Sequence, residues 1–222
     1  MKRRLPFVIV ILVALLTLVS GVVLHRAKRP PVLTIPKEQI ASAANSTESI
    51  HVRGNPDAPV TLEEFGDFQC PPCGKLAGAI AQLEHDYHPR LRVIFRNFPL
   101  VTHAHARDAA LAAEAAGLQG RFWEMHDLLY REQSVWSKAE NARALFNAYA
   151  GILGLNIERF EKDMAGDKAQ ARVKSDQQRG ATLGVQNTPT IFLNDRALPP
   201  TDLNPDSLRG AVDAAAKNVK SS

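Results

Sequence analysis

The chain has 222 residues, of which 45% are hydrophobic and 23% charged, and this balance is typical of a globular protein. Its net charge of +4 comes from the first 29 residues, which hold six basic and no acidic residues, so the remainder carries a net charge of −2. That mildly acidic body argues against nucleic-acid binding. Two cysteines are too few for a disulfide scaffold and supply only half the ligands of a structural zinc site.

Residues 5–24 form an uncharged, apolar run of 20 residues, which as a helix is long enough to cross a bilayer. No small-residue cleavage pattern follows it, so we predict an uncleaved signal anchor in residues 1–29 rather than a cleaved signal peptide. Basic residues flank the run on both sides, which nearly balances the positive-inside rule. Since the short basic tail resembles an export signal, we place the rest of the chain on the periplasmic side of the inner membrane, behind a proline-rich linker over residues 30–55.

Helical and strand patterns alternate through the remainder of the chain. A strand at 60–65, a helix at 74–87 and a strand at 91–96 predict a βαβ unit with a parallel strand pair. A strand at 190–193 and a hairpin turn at Asn194-Asp195 follow a long helical section. The other predicted helices lie at 103–118, 122–131, 139–149, 157–164, 168–183 and 205–217, the last with Asn204 as its N-cap.

The two cysteines stand in the motif Cys70-Pro71-Pro72-Cys73, between a predicted strand and a predicted helix. The exposed amides and the dipole at a helix N-terminus stabilise an anion, so we expect a reactive thiolate at Cys70. Pro71 suits the first helical position, where its missing N–H has no partner to lose. Cys73, inside the first turn, is placed to attack a mixed disulfide at Cys70 and release the substrate.

Three features together resemble the DsbA-like thioredoxin fold of membrane-anchored or exported thiol:disulfide oxidoreductases. They are the motif from Phe68 to Cys73 at a strand-to-helix junction, the segment 184–190 before a strand, and Glu64 six residues before Cys70. The resemblance covers residues 50–218. It implies an α/β thioredoxin fold over residues 56–218, with a helical domain inserted at about 101–183, preceded by an N-terminal transmembrane helix.

The resemblance also assigns roles to site residues. It implies a cis peptide before Pro189, with the backbone of Thr188 beside the cysteines and ready to pair with an extended substrate. It implies that Glu64 is a buried acid that exchanges a proton with Cys73. Two alternatives stay open here, namely a trans Pro189 in an ordinary loop, and a surface Glu64 with Glu63 as the buried carboxylate.

The implied function is a thiol:disulfide oxidoreductase that forms disulfides in unfolded or partly folded exported proteins. A membrane redox partner would re-oxidise or re-reduce it, and its own Cys70–Cys73 disulfide would be its only redox group, without a cofactor. Pro72 stands where the best-known oxidase of the family has a thiolate-stabilising histidine, so we expect a milder potential. Reduction or isomerisation of disulfides remains an alternative, as does a non-catalytic thiol-based metal carrier or chaperone.

The remaining candidates for chemistry are histidines and tryptophans. His103 and His105 are two residues apart on a predicted helix and therefore point in different directions, so we predict no histidine metal site with His126. Trp123 and Trp136 fit a helical core better than a peptide-binding groove.

Overall fold

The structure is a computed structural model that describes residues 51–219, with side chains as far as residue 217. The strands are β1 (His51–Gly54), β2 (Val60–Gly66), β3 (Leu91–Asn97), β4 (Thr190–Leu193) and β5 (Arg196–Ala197). The helices are α1 (Pro71–Tyr87), α2 (Ala106–Gly117), α3 (Phe122–Arg131), α4 (Gln133–Trp136), α5 (Ala142–Ile152), α6 (Ile157–Ala165), α7 (Asp167–Thr182) and α8 (Pro205–Val219). The predicted anchor at 5–24 lies outside the described residues, and within them no helix combines the length and apolarity needed to cross a membrane.

The strands form one sheet in the order β1-β3-β2-β4-β5. β2 and β3 are parallel and joined by α1, which is the predicted βαβ unit, and the other neighbours are antiparallel. Residues 51–54, which the sequence placed in the linker, form the edge strand β1. All four residues of β1 are half-buried, so the strand lacks the alternation of buried and exposed residues that would reveal it. Two long-range contacts fix its position instead, His51 with Glu114 and Arg53 with Asp127.

The two faces of the sheet carry different helices. α1 and α8 share one face, where an apolar core forms against β2, β3 and β4. That core includes Val60, Leu62, Leu76, Ile80, Leu83, Leu91, Val93, Ile191, Leu208 and Val212. α7 packs against β3 on the other face, where Gly180 lets the helix approach closely. A β-carbon there would lie 2.6 Å from the Phe98 ring.

Along the chain, six helices, α2 to α7, follow β3 and precede β4. Their alanines and aromatic side chains build a second core, in which Trp136 is fully buried and donates its indole N–H to the carbonyl of Leu129. Trp123 is half-buried and donates to the carbonyl of Val52, so both tryptophans pack rather than line a groove. The helix predicted from residue 103 begins at Ala106, after a turn.

Local signals set several element ends correctly. Asn194 and Asp195 have φ angles of 47° and 64°, as a tight hairpin between β4 and β5 requires. The side chain of Asn204 accepts a hydrogen bond from the Ser207 amide at 3.0 Å, which makes Asn204 the predicted N-cap of α8. α1 begins at Pro71 rather than at residue 74, because proline itself fits the first helical turn.

Candidate active site

The N-terminus of α1 holds both cysteines. Cys70 is the residue before the helix, its amide donates to the carbonyl of Asp67 at 3.0 Å, and its carbonyl accepts from the Gly74 amide at 3.2 Å. Cys73 lies in the first turn. Both are free thiols, with Cys70 4% exposed and Cys73 fully buried. Of the two sulfurs, that of Cys70 is therefore the one placed to meet another molecule.

The segment around Pro189 lies directly against this helix end. The Thr188–Pro189 peptide is cis, as the resemblance implies. The thiol of Cys70 donates to the carbonyl oxygen of Thr188 at 3.3 Å, although the two residues are 118 positions apart in the chain. The fold thus brings together two of the three motifs that the sequence singled out.

The two thiols have opposite electrostatic environments. A hydrogen bond from the Cys73 side chain lowers the pKa of Cys70 to about 6, against the effect of burial, and a hydrogen bond from the backbone of Cys73 adds to this shift. Burial raises the pKa of Cys73 strongly, and its hydrogen bond to Cys70 raises it further. At neutral pH Cys70 is mostly a thiolate, which is the nucleophilic form, while Cys73 keeps its proton.

The third motif residue, Glu64, lies on β2 and is 1% exposed. Burial raises the pKa of Glu64 to about 8, and the nearby charge of Cys70 adds to this shift. The alternative of a surface Glu64 is therefore wrong, although Glu63 is buried as well. A carboxyl group that is mostly protonated at neutral pH and close to a thiol is suited to donate a proton.

Two further residues shape the site without having been singled out in the sequence. The buried carboxylate of Asp67 accepts from the amides of Gln69 at 2.7 Å and Leu100 at 2.9 Å and pairs with His103 at 2.7 Å, which holds the loop before the motif. Gln133 donates to the carbonyl of Cys70 at 2.9 Å and also to that of Phe68. Asp67 could have been found from the sequence, since Asp is typical of turns. Gln133 could not, because it belongs to α4, a short helix that no sequence pattern predicts.

A groove of about 840 Å³ begins beside the motif. Its wall is mostly apolar and runs from the first turn of α1 to the loop before β4. Among the residues that line it are Pro72, Leu76, Val185, Thr188, Pro189 and Phe192. An apolar groove next to a reactive sulfur fits an extended, unfolded polypeptide better than a small polar molecule.

The histidines that the sequence raised as metal candidates have other partners. His103 pairs with Asp67, and His126 is buried with its Nδ1 2.8 Å from the carboxylate of Asp127. In the part of the chain from 51 to 217, no group of three or more His, Cys, Asp or Glu side chains is arranged to hold a metal ion.

Comparison with known proteins gives two kinds of match. A family model described as Thioredoxin (Thioredoxin_4) matches residues 46–214. Among curated proteins, the Na(+)/H(+) antiporter NhaA 1 of Mycolicibacterium gilvum (strain PYR-GCK) is 41% identical over 152 residues, or 67% of this chain. NhaA 1 of Salinispora arenicola (strain CNS-205) is 42% identical over 147 residues. The matched stretch is only 24% and 22% of those proteins, so the chain spans about a quarter of their length.

Solved structures extend these matches to the fold. A thioredoxin-like oxidoreductase from Silicibacter pomeroyi DSS-3 is 28% identical with a TM-score of 0.65, over 76% of this chain and 92% of that one. Oxidised BdbD from Bacillus subtilis is 25% identical with a TM-score of 0.66, over 75% and 92%. The thiol-disulfide exchange protein alpha-DsbA2 from Wolbachia pipientis, 20% identical, shares the fold with a TM-score of 0.67, over 80% and 92%. The chain therefore belongs to the thioredoxin family, within its DsbA-like group of thiol–disulfide oxidoreductases.

Proposed function

We propose that this protein exchanges disulfides with the cysteines of unfolded or partly folded exported proteins through Cys70 and Cys73, and that it forms disulfides in them. The observation that carries the proposal is the sulfur of Cys70. It has a pKa of about 6, and it lies 3.3 Å from the carbonyl oxygen of Thr188 in the cis-proline loop, which lines an apolar groove.

Each step of the oxidation assigns a role to one residue. A substrate thiolate attacks Cys70 of the oxidised enzyme, the Cys70–Cys73 bond breaks, and the electron pair leaves on the sulfur of Cys73. Protonated Glu64 then supplies a proton to that sulfur, whose high pKa makes it a strong base. A second substrate thiolate attacks the mixed disulfide and releases Cys70 as a thiolate, which leaves the substrate oxidised and the enzyme reduced.

Substrate binding falls to the loop before β4 and the proline pair of the motif. In this proposal the backbone of the half-buried Thr188 pairs with an extended substrate strand, while Pro189, which lacks an N–H, does not compete for it. Pro71 and Pro72 form the outer surface of the first turn of α1 and are both exposed. Pro72 also lines the groove, so a substrate side chain next to the reacting cysteine would pack against it.

The direction of electron flow follows from the same sulfur. Whatever stabilises the Cys70 thiolate stabilises the reduced enzyme, and this makes its disulfide a better oxidant. Pro72 adds no donor to the thiolate, which limits the effect and favours a milder potential. A reductase or isomerase of the same fold is the alternative, and in either case a membrane redox partner would restore the working state. A metal carrier is disfavoured because the buried Cys73 thiol resists ionisation.

The cellular setting is part of the proposal. The apolar run at 5–24 would anchor residues 1–29 in the inner membrane as a single pass, with the thioredoxin-like domain of residues 56–218 on the periplasmic side. Disulfides persist in that oxidising compartment. The redox chemistry would need no cofactor, since the Cys70–Cys73 pair itself carries the electrons.

A Cys73→Ser variant of the full chain tests the proposal, with Cys70→Ser as the matched control. Without its resolving sulfur, the enzyme should accumulate mixed disulfides with cysteine-containing substrates through Cys70, and these should be visible on non-reducing gels. Cys70→Ser should trap none. A metal carrier would instead lose bound metal in both variants and trap no substrate, which would overturn the proposal.

Two measurements on the wild-type protein then decide the direction. The rate of Cys70 alkylation against pH should give an apparent pKa of about 6. Equilibration with glutathione should give a potential clearly above that of thioredoxin, about −270 mV. A value near −270 mV would instead assign the protein to disulfide reduction.

A further inference from the structure

We propose that Tyr130 is a positioning residue that holds a proton path, through bound water, between the buried carboxyl of Glu64 and solvent on the far side of α1. This inference rests on the proposed function. It adds to Glu64 and the two cysteines a residue from the inserted helices that no motif indicates.

The geometry starts on β2. Glu64 and Gly66 are two residues apart on a strand, so their side-chain positions face the same side of the sheet. Gly66 has no side chain, and the Phe95 ring and the phenol of Tyr130 on α3 share the space. A β-carbon built on Gly66 would lie 2.5 Å from the Phe95 ring and 2.9 Å from the Tyr130 hydroxyl oxygen. The phenol therefore lies on the same face of the sheet as the carboxyl, and Cys73 and Glu64 both act on it electrostatically.

Both groups are buried, and each has one oxygen atom whose hydrogen-bonding capacity is not used. The hydroxyl of Tyr130 and Oε1 of Glu64 have no hydrogen-bond partner among residues 51–217. Leaving a buried polar group unpaired is costly, so such groups normally bind ordered water. Ordered water between these two polar atoms would satisfy both, and it would also carry a proton.

The titratable groups around the phenol come from three elements. Glu64 on β2, Cys70 and Cys73 at the start of α1, and Asp67 between them all act on it electrostatically. His126 lies one turn earlier on α3, with its ring centroid 5.0 Å from that of Tyr130. Burial, followed by the charge at Cys73, raises the pKa of Tyr130 well above its ordinary value. The phenol therefore stays protonated and orders a water rather than acting as the acid.

The path continues outward between α1 and α3. Tyr130 is also part of the wall of a second groove, of about 290 Å³, whose α1 side consists of small residues. These wall residues include Gly74, Ala77, Gly78 and Ala81 on α1 and Asp127 and Arg131 on α3. Gly78 is exposed and a β-carbon there would meet nothing within 4 Å, so water has access to the groove. Tyr130 thus separates this groove from the buried carboxyl.

The proton balance gives the path a task. When Cys73 leaves as a thiolate, Glu64 gives it a proton and becomes a buried carboxylate. Because the pKa of Glu64 beside the free thiols is about 8, a proton from solvent then reaches Glu64 in the reduced enzyme. In the reverse reaction this proton must leave before Glu64 can take the proton of Cys73. The opening beside Thr188 is covered by the substrate during the reaction, which leaves the groove behind Tyr130 as the open side.

A Tyr130→Phe variant of the full chain tests this inference, with Tyr149→Phe as the matched control. Tyr149 is also a buried tyrosine of the inserted helices, packed against Phe146. In single turnovers of the reduced enzyme with a disulfide peptide, Glu64 must first release its own proton through the path before it can take that of Cys73. Loss of the hydroxyl should therefore slow formation of the Cys70–Cys73 disulfide by about tenfold, a fraction of what acid catalysis supplies. The upper limb of its pH profile should shift, and Tyr149→Phe should leave both unchanged.

A double-variant comparison separates a proton path from a packing effect. If Tyr130 acts through Glu64, adding Tyr130→Phe to Glu64→Gln should slow the reaction no further. Blocking the groove with Gly78→Leu should reproduce the slower step. Gly210→Leu on α8, where a β-carbon also meets nothing, controls for the same substitution in an exposed helix.

Wild-type rate and pH profile in Tyr130→Phe, or multiplicative effects of Tyr130→Phe and Glu64→Gln, would overturn the inference. Failure of the proposed function would look different. In that case the wild-type enzyme would not turn over the peptide, or Cys70→Ser would remain active.

Discussion

Glu63 and Glu64 are adjacent residues on β2, both are buried, and their environments are opposite. Glu63 faces α7, where its carboxylate is 2.7 Å from Arg96 and 2.7 Å from Arg179. Burial acts to raise the pKa of Glu63, but the hydrogen bonds and charges of Arg179 and Arg96 outweigh it and lower the pKa below its ordinary value. Glu64 faces α1, and burial raises its pKa to about 8.

The comparison separates a structural carboxylate from a functional one. On the α7 face, Arg96 also reaches Asp176 at 3.1 Å, so a chain of paired charges ties the inserted helices to the sheet. On the α1 face, Glu64 keeps an atom without a protein partner within the described chain, close to the two thiols. A paired carboxylate holds its charge, whereas an unpaired buried one holds a proton that it can give away.

The largest effect on stability should come from removing the paired carboxylate of Glu63. Glu63→Ala leaves Arg96 and Arg179 without their shared carboxylate in a buried site, and removing one partner of such a cluster costs about 3–5 kcal/mol. Chemical denaturation of the full chain should show this loss in the free energy of unfolding. A loss below about 1 kcal/mol would mean that the two arginines find other partners, and that the contrast with Glu64 is not one of pairing.

The unpaired carboxyl of Glu64 should make the free energy of unfolding depend on pH. The folded protein holds the Glu64 proton up to about pH 8, while an unfolded chain releases it near 4.5. Folding therefore weakens as pH rises from about 4.5 to about 8, by up to about 1.4 kcal/mol per pH unit. Glu64→Gln lacks this titration, so the wild-type protein should lose stability relative to it across that window.

Urea denaturation of both proteins at pH 5 and pH 8 measures this difference. Both should be in the disulfide form, in which Cys70 does not titrate. Its lowered thiol pKa would otherwise add a stability gain with rising pH. In the disulfide form, burial raises the pKa of Glu64 without the added charge of Cys70, so the upper end of the window lies somewhat below pH 8. Parallel pH profiles for the two proteins would show that Glu64 titrates as an ordinary carboxylate.

The smallest effect should come from a charge pair on the surface. Arg143 on α5 makes two hydrogen bonds to Asp108 on α2, at 2.8 and 2.6 Å, but its side chain is 58% exposed. Water and salt screen such a pair, so Arg143→Ala should cost at most about 1 kcal/mol. The same denaturation assay checks it, and a loss as large as that of Glu63→Ala would mean that burial is not what sets the scale.

The sequence alone determined those features that depend on a few neighbouring residues. The motif from Cys70 to Cys73 begins a helix because proline fits the first turn. Asn194-Asp195 forms a hairpin because these residues tolerate positive φ, and Asn204 caps α8 through its own side chain. The family resemblance added that the cis-proline loop belongs beside the cysteines, which local patterns cannot express.

Only the tertiary structure decided which buried groups find partners. Alternation along β2 places Glu63 and Glu64 on opposite faces, but it does not tell which of them is paired. The difference comes from Arg179, 116 residues away from Glu63, and from burial of Glu64 beside Cys70. Tyr130 reaches the site for the same reason, because its hydroxyl and the Phe95 ring share the space that Gly66 leaves open. Burial and charge act through space, so segments that are distant in the sequence set the pKa of a side chain. The residues next to it in the chain therefore do not reveal that pKa.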